Sequence, residues 1–276
     1  MIGPSHIGEL GSMENIVRAK EELYLGAPKA TAIFNLDNEY TIGLYDKAQA
    51  ANTFANILGF SSHGPPCDVG MRAEKMRADG LEVVGQIAGH AGHCKVKVFG
   101  RHNLTNLMVA ATIGMAIGMT PEQIWQKIES VTSSSWGRNQ WLKLPNGVQI
   151  LFDAYNANPS SMSALLKNIY ELETDGNKLL VLGEMLELGK DSERLHQQLG
   201  EMIVGVADVV WFIGPHYEDV KKGMSGFSGT SYFSSEFDSK ISSQIKNSLQ
   251  PEDLVALKAS RGQKLETVLE HWGIET

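Results

Sequence analysis

The sequence predicts an α/β protein of two domains, the second of them a mostly parallel sheet covered by helices on both faces. Three observations predict it. At 276 residues the chain is long enough for two ordinary domains, each with a core of its own. The run TSSSWGR at residues 132–138 has the small, polar character of a linker. After it, short apolar runs alternate with helical periods, the pattern of a parallel sheet with helical crossovers. The boundary is placed near Trp136, giving domains of residues 1–136 and 137–276.

Each element has a local reason. The opening, residues 1–10, holds Gly3, Pro4 and Gly8 and reads as loop. From Ser12, a fair N-cap, the run MENIVRAKEEL has helical spacing, with Ile16, Ala19 and Leu23 expected on one face. Residues 30–36 (ATAIFNL) are a short apolar run with β-branched members that stops at Asp37 and Asn38, as a buried strand stops at a ligand-facing loop. Strands are also expected at 81–87 and 94–99. Residues 104–118 are apolar on nearly every side, but too short and too rich in Thr and Asn for a membrane span, and so read as a buried helix. Thr120 as N-cap and Pro121 at the first position start another, 121–131. Beyond the linker, strands are expected at 149–152, 178–182, 209–213 and 254–257, with helices from Ser160, from Asp191, around 237–249 and from Gln263.

Composition narrows the function. A net charge of -8 argues against general affinity for nucleic acid or anionic lipid, both of which need a positive field over the binding face. Cys67 and Cys94 stand in no metal-ligand or redox spacing and are too few for a disulfide framework, which suits a reducing cytoplasm. No run approaches the ~20 apolar residues of a membrane span, and no signal-peptide pattern opens the chain.

In sheets of this kind ligands gather at the carboxyl ends of strands. The polar clusters of the second domain, at residues 153–158, 183–189 and 258–261, fall there. FDAYNANPSSM (152–162) is the densest. Asp153 leaves a strand, Tyr155, Asn156 and Asn158 follow in turn-tolerant positions, and Pro159 with Ser160 and Ser161 can open a helix whose free amides favour an anion. The plainer alternative is a strand-to-helix turn capped by Ser160. GEMLELG (183–189) puts Glu184 and Glu187 beside turn glycines, able to hold an ammonium or a metal-bound water, or only to cap the next helix. KASRG (258–262) ends a strand with Lys258, Ser260 and Arg261, a cradle for carboxylate or phosphate or else a solvated charge pair. GRHNLTN (100–106) presents His102, Asn103 and Asn106 before a buried helix; Asn103 as N-cap and a packed histidine account for it equally well. Spacing alone selects neither His6 nor Lys20.

Taken in order, IGPSHIGELGSMENIVRAKEEL, NLDN, GRHNLTNLMVAA, GRNQWLKLPNGVQILFDAYNANPSSM, LVLGEMLELG and LKASRG resemble the Mur ligase family over nearly the whole chain. YNANPSSM and GEMLELG look most like the branch that adds D-alanyl-D-alanine. The Asp-Asn-Pro-Arg tetrapeptide expected of the sister ligase that adds diaminopimelate or lysine is not found. The resemblance implies a partial central ATPase domain followed by a Rossmann-like domain, acting as a monomer. It further implies that ATP activates the carboxylate of a UDP-N-acetylmuramoyl-tripeptide as an acyl phosphate, which the amine of D-alanyl-D-alanine attacks, with Mg2+ neutralising phosphoryl charge. Carried over position by position, His6 matches a magnesium-ligand histidine and Lys20 the lysine that becomes a carbamate, an oxygen donor to a second ion. Asn106 matches the adenine-contacting asparagine of a block that includes His102 and Asn103. Arg138 matches the arginine that reaches ATP, and Asp153 the carboxylate at the ribose. Tyr155, Asn156, Asn158 and Ser161 would lie by the phosphates and the dipeptide, and Glu184, Lys258, Ser260 and Arg261 toward the substrate.

The chain also departs from the family. The Gly-Lys-Thr phosphate loop, the acidic magnesium ligand after it and the UDP-sugar domain do not occur in these 276 residues. The chain alone is therefore expected to be inactive and a poor binder of ATP. Glu184 stands where aspartate is more usual and Ala259 where glycine is. A folylpolyglutamate-synthetase-like ligase and a non-catalytic nucleotide- or peptide-binding module remain open as alternatives.

Overall fold

The computed structural model describes residues 2, 12–52, 54–64, 66–132 and 136–274. They form two compact units, residues 1–132 and 133–276.

In the N-terminal unit, Ser12 caps α1 (Met13–Leu25) by accepting from the Asn15 amide. Its buried face runs through Met13, Ile16, Val17 and Tyr24. The expected grouping with Ala19 and Leu23 is corrected: both are exposed, Leu23 at 74%. β1 (Thr31–Asn35) stacks its Phe34 on Tyr24 at 4.7 Å. After it come α2 (Glu39–Ala51), β2 (Asn56–Ser61), β3 (Val69–Arg77), β4 (Gly80–Ile87) and β5 (His90–Val96). The five strands form one sheet in chain order, with β1, β2 and β3 parallel and β3, β4 and β5 an antiparallel meander. The strand expected at 94–99 thus begins four residues earlier and stops at Val96, while α2, β2 and β3 were not anticipated.

α3 (Asn103–Ala116) packs on this sheet through Leu104, Leu107, Met108 and Ala111. Full burial of the leucine and methionine side chains contributes about 1.5–3 kcal/mol each. The helix is one-sided rather than buried all round, since Ile113 is 48% exposed and Ile117, just beyond its end, 73%. An apolar composition cannot reveal which face a single sheet will cover. α4 (Pro121–Glu129) starts as expected, with a capping box between Thr120 and Gln123.

The C-terminal unit runs β6 (Gln140–Lys143), β7 (Gln149–Phe152), α5 (Pro159–Glu171), β8 (Lys178–Gly183), α6 (Ser192–Ile203), β9 (Val209–Ile213), α7 (Tyr217–Gly223), β10 (Thr230–Ser234), α8 (Ser239–Ser248), β11 (Leu254–Lys258) and α9 (Thr267–His271). Its six strands lie in the order β10-β9-β8-β11-β7-β6, all parallel except β6 against β7. β7, β8, β9 and β11 are almost wholly buried, as near-continuous apolar runs should be when helices cover both faces. The last strand inserts between β7 and β8, pairing with both, so residues 258–261 lie between the loops that begin at 153 and 184. β6, α7 and β10 were not anticipated. The helix expected from Gln263 begins instead at Thr267, as the five residues of α9, after a 3₁₀ turn, Arg261–Gln263. No helix among the described residues is long and apolar enough to cross a membrane.

Candidate functional site

The site is built on the carboxyl ends of β7, β11 and β8. Asp153 leaves β7 with its amide bonded to the Leu257 carbonyl of β11 at 2.9 Å. One carboxylate oxygen accepts the Asn139 amide at 3.2 Å and the other accepts the Lys258 ammonium at 2.6 Å. Lys258 is only 2% exposed and also donates to the Asn156 carbonyl at 2.9 Å. A lysine this deep in a sheet has to be paired, because an isolated buried ammonium is strongly disfavoured. Lys258 is therefore neither a solvated charge nor a cation on the surface of the site. It lies beneath the 153–158 loop and pins it to β11.

Above this pair, the guanidinium of Arg138 lies 4.1 Å from the centroid of the Tyr155 ring and that of Arg261 lies 5.2 Å from the same centroid. Arg138 follows Gly137, whose φ of +68 is a turn conformation that favours glycine, and the Gly137 carbonyl accepts the Tyr155 amide at 3.0 Å. Asn156 is exposed, its side-chain oxygen turned back on the Ala157 amide at 2.8 Å. Asn158, rather than Ser160, caps α5: it and Ser161 form a reciprocal capping box, each side chain accepting the other's amide at 2.9 and 3.0 Å. Asn158 and Ser161 thus have a structural occupation at the helix start.

Two loops are clasped beside this group. Ser260, 3% exposed, accepts the Leu186 amide at 3.0 Å and donates to the Ala157 carbonyl at 3.3 Å. Glu184 accepts the Ser260 amide on its carbonyl and the Gln263 carboxamide on its carboxylate, both at about 3.3 Å or less. Gly183 permits the approach, since a Cβ there would stand 2.6 Å from that of Ala259. Glu184 is largely buried, whereas Glu187 is exposed in a left-handed turn with φ of 64; the two carboxylates named together in the sequence do not share an environment.

Behind Glu184 is a group that the sequence did not single out. His216 Nε2 lies 3.5 Å from the Glu184 carboxylate and 2.9 Å from the Ser192 hydroxyl, and its Nδ1 lies 3.0 Å from Asp219. Its ring stacks on that of His196 at 4.5 Å. His196 is fully buried. Its Nε2 accepts the Met185 amide at 3.1 Å and its Nδ1 donates to the Ser192 carbonyl at 2.8 Å, which fixes the neutral ring's tautomer. Burial pulls its pKa below the ordinary histidine value. The available signal was the Ser192–His196 spacing of one helical turn after the GEMLELG loop.

In the N-terminal unit, Asn103 is the first residue of α3 rather than its cap. Its carboxamide donates to the Phe99 carbonyl at 2.6 Å and accepts from Asn106 at 3.1 Å, while His102 and Asn106 are exposed. Lys20 is exposed on α1, and His6 lies outside the described residues. Among the described residues no three or more His, Cys, Asp or Glu group as a metal site. Asp37, at the end of β1, accepts the Ser61 hydroxyl at 2.6 Å, the Ser62 amide at 2.8 Å and His63 at 2.9 Å. Burial alone would raise its pKa, but these hydrogen bonds outweigh it and hold the carboxyl below its ordinary value. A cavity of about 600 Å³ opens nearby, lined in part by His63, Arg72, Gln86 and His93, none of them an expected site residue.

Two family models match the chain: the Mur ligase middle domain over residues 1–114 and the Mur ligase glutamate ligase domain over residues 137–261. The chain belongs to the Mur ligase family. A Bacillus subtilis relative, UDP-N-acetylmuramoyl-tripeptide--D-alanyl-D-alanine ligase, is 30% identical over 272 residues, covering 97% of this chain and 57% of the relative. The chain thus spans little more than half the length of that curated relative. Among solved structures, the MurF protein of Acinetobacter baumannii aligns with a TM-score of 0.81 at 23% identity, covering 98% of this chain and 57% of that one. The MurF ligase of Thermotoga maritima in complex with ADP aligns at 0.79 and 23%, covering 98% and 60%. These likenesses agree with the α/β architecture expected of the chain.

Proposed function

We propose that this Mur ligase chain forms part of an ATP-dependent ligase that joins D-alanyl-D-alanine to a UDP-N-acetylmuramoyl-tripeptide. The observation that carries the reading is the convergence, at the carboxyl ends of β7 and β11, of two exposed guanidinium groups on Tyr155 above the buried Asp153–Lys258 pair. A cationic rim over a rigid loop suits the phosphates and carboxylates of such a reaction, and the names of the curated relatives support the substrates.

In the proposed reaction a carboxylate oxygen of the tripeptide attacks the γ-phosphorus of ATP and ADP leaves. The dipeptide amine then attacks the acyl carbon, loses a proton, and inorganic phosphate departs. Asn106 would meet the adenine edge. Asp153, whose two oxygens keep lone pairs beyond their bonds to Asn139 and Lys258, would accept a ribose hydroxyl. Arg138 and Asn156 would face the phosphates; Glu184 would receive the dipeptide ammonium and Arg261 its carboxylate. Magnesium would supply charge neutralisation at the phosphoryl group, with His6 and carbamylated Lys20 as its proposed holders.

The test is a ligation assay on a longer protein containing this chain together with a Gly-Lys-Thr loop. Release of ADP and phosphate should require both the tripeptide and D-alanyl-D-alanine; release indifferent to the dipeptide would refute the assignment. Calorimetry on the 276 residues alone should show ATP binding weaker than millimolar, because several charge-assisted phosphate contacts at ~1.5–3 kcal/mol each would be lacking. Micromolar binding would favour a self-sufficient binding module instead.

A further inference from the structure

We propose that Tyr155 is a positioning residue that holds Arg138 and Arg261 as one two-pronged anion clamp, so that an anion bound at either arginine orders the other. The inference deepens the reading above and rests on it only for the identity of the anions. The two arginines come from distant segments, one between Gly137 and β6, the other after β11, and both lie against the Tyr155 ring, at 4.1 and 5.2 Å. Guanidinium groups stack on aromatic faces without giving up their in-plane donors. The ring can therefore orient both cations while leaving their N–H groups directed at a ligand.

A carboxylate partner would orient an arginine too, but would neutralise it. Arg261 has no ion-pair partner among the described residues, and both guanidinium groups are exposed. The platform itself is stiff. The Tyr155 amide is bonded to the Gly137 carbonyl beside Arg138, and the next residue's carbonyl accepts the buried Lys258 ammonium at 2.9 Å. Two like charges tied to one ring disfavour each other until an anion lies between or beside them. That repulsion is the physical source of the coupling: an anion that orders one guanidinium lowers the electrostatic cost of ordering the other.

The experiment uses the 276-residue chain, its Tyr155→Phe and Tyr155→Leu variants, and inorganic pyrophosphate as the probe, since it presents two linked anionic groups and needs no adenine or metal site. Side-chain arginine NMR reads the geometry. In the parent and in Tyr155→Phe, the Nε–H signals of Arg138 and Arg261 should both show ring-current displacement and should both move with a single midpoint on titration. In Tyr155→Leu the displacement should vanish and affinity should fall about fivefold, the scale of cation–π contacts at exposed sites. An unfolding curve for Tyr155→Leu that matches the parent excludes general collapse, and Tyr155→Phe provides the conservative rescue. Undisplaced arginine signals in the parent, failure of pyrophosphate to bind it, or an unchanged midpoint in Tyr155→Leu would each overturn the clamp. None of these results depends on ligation, so a working clamp in a protein without dipeptide-dependent ADP release would remove the functional reading and leave the clamp standing.

Discussion

The 153–158 loop and the 100–106 turn carry similar side chains, amides and cations at the start of a helix, yet they are stabilised in different ways. In the first, Asp153 and Asn156 are tied to Lys258, 105 and 102 residues away, by a buried ammonium. In the second, Asn103 bonds to Asn106 and to Phe99, within a few residues, and Arg101 donates to the Ala73 carbonyl of β3. The first loop therefore depends on the order of strands in its sheet, while the second combines bonds within its own turn with a single neutral-acceptor bond from Arg101 to β3. A site of the first kind can be lost through one residue beneath it; a site of the second kind has no buried charge to leave unpaired.

The largest expected effect concerns chemistry rather than folding. Lys20 lies exposed on α1, so in a longer, active ligase Lys20→Ala should lower turnover by about a hundredfold or more while leaving stability unchanged. Added short-chain carboxylate should restore part of the rate. Full activity in the untreated variant would exclude the carbamate role.

Next comes the buried pin. Lys258→Met leaves the Asp153 carboxylate without its charged partner and should destabilise the chain by about 3–5 kcal/mol in a urea unfolding curve. Asp153→Asn added to it should recover much of the loss, because no uncompensated charge remains. If Lys258→Met alone costs less than ~1 kcal/mol, the contrast between the two regions fails.

A smaller effect belongs to His196. Its folded pKa is depressed by burial, so the unfolded chain binds more protons and stability rises with pH. The contribution is fully present above about pH 6.5, the ordinary histidine value, and is lost as pH falls toward the folded pKa. His196→Gln should cost about 1–3 kcal/mol at pH 7.5 through the Met185 amide and should flatten the stability curve below about pH 6.5. An equally steep curve in the variant would assign the slope to other groups. The smallest effect sharpens the comparison from the local side. Asn158→Ala removes one half of the capping box and should cost about 1 kcal/mol, read by thermal unfolding, with little change elsewhere.

Much of this site was legible residue by residue, and little of it pair by pair. Asp153, Tyr155, Lys258 and Arg261 were all picked out from strand-end clusters, but no sequence spacing shows that Lys258 lies under the loop or that one tyrosine carries two arginines. His196 and His216 went unnoticed because an isolated histidine in a helical or loop pattern carries no signal until its stacking partner, 20 residues away, is known. The misjudged faces of α1 and α3 have a related cause: periodicity shows that a stripe exists, and the neighbouring sheet chooses which stripe is covered.

The sequence by itself determined the alternation of strands and helices after Trp136, the helix starts at Thr120–Pro121 and near Pro159, and the places where polar residues interrupt apolar runs. These follow from hydrogen bonds and propensities that act within about one helical turn. Only the tertiary structure decided that β11 enters between β7 and β8. That insertion buries the Lys258 ammonium against Asp153, brings Arg261 to the ring that also holds Arg138, and sets Ser260 against the loop of Glu184. Strand order is a property of the whole sheet, set by the burial of entire apolar faces, and no local run of residues encodes it.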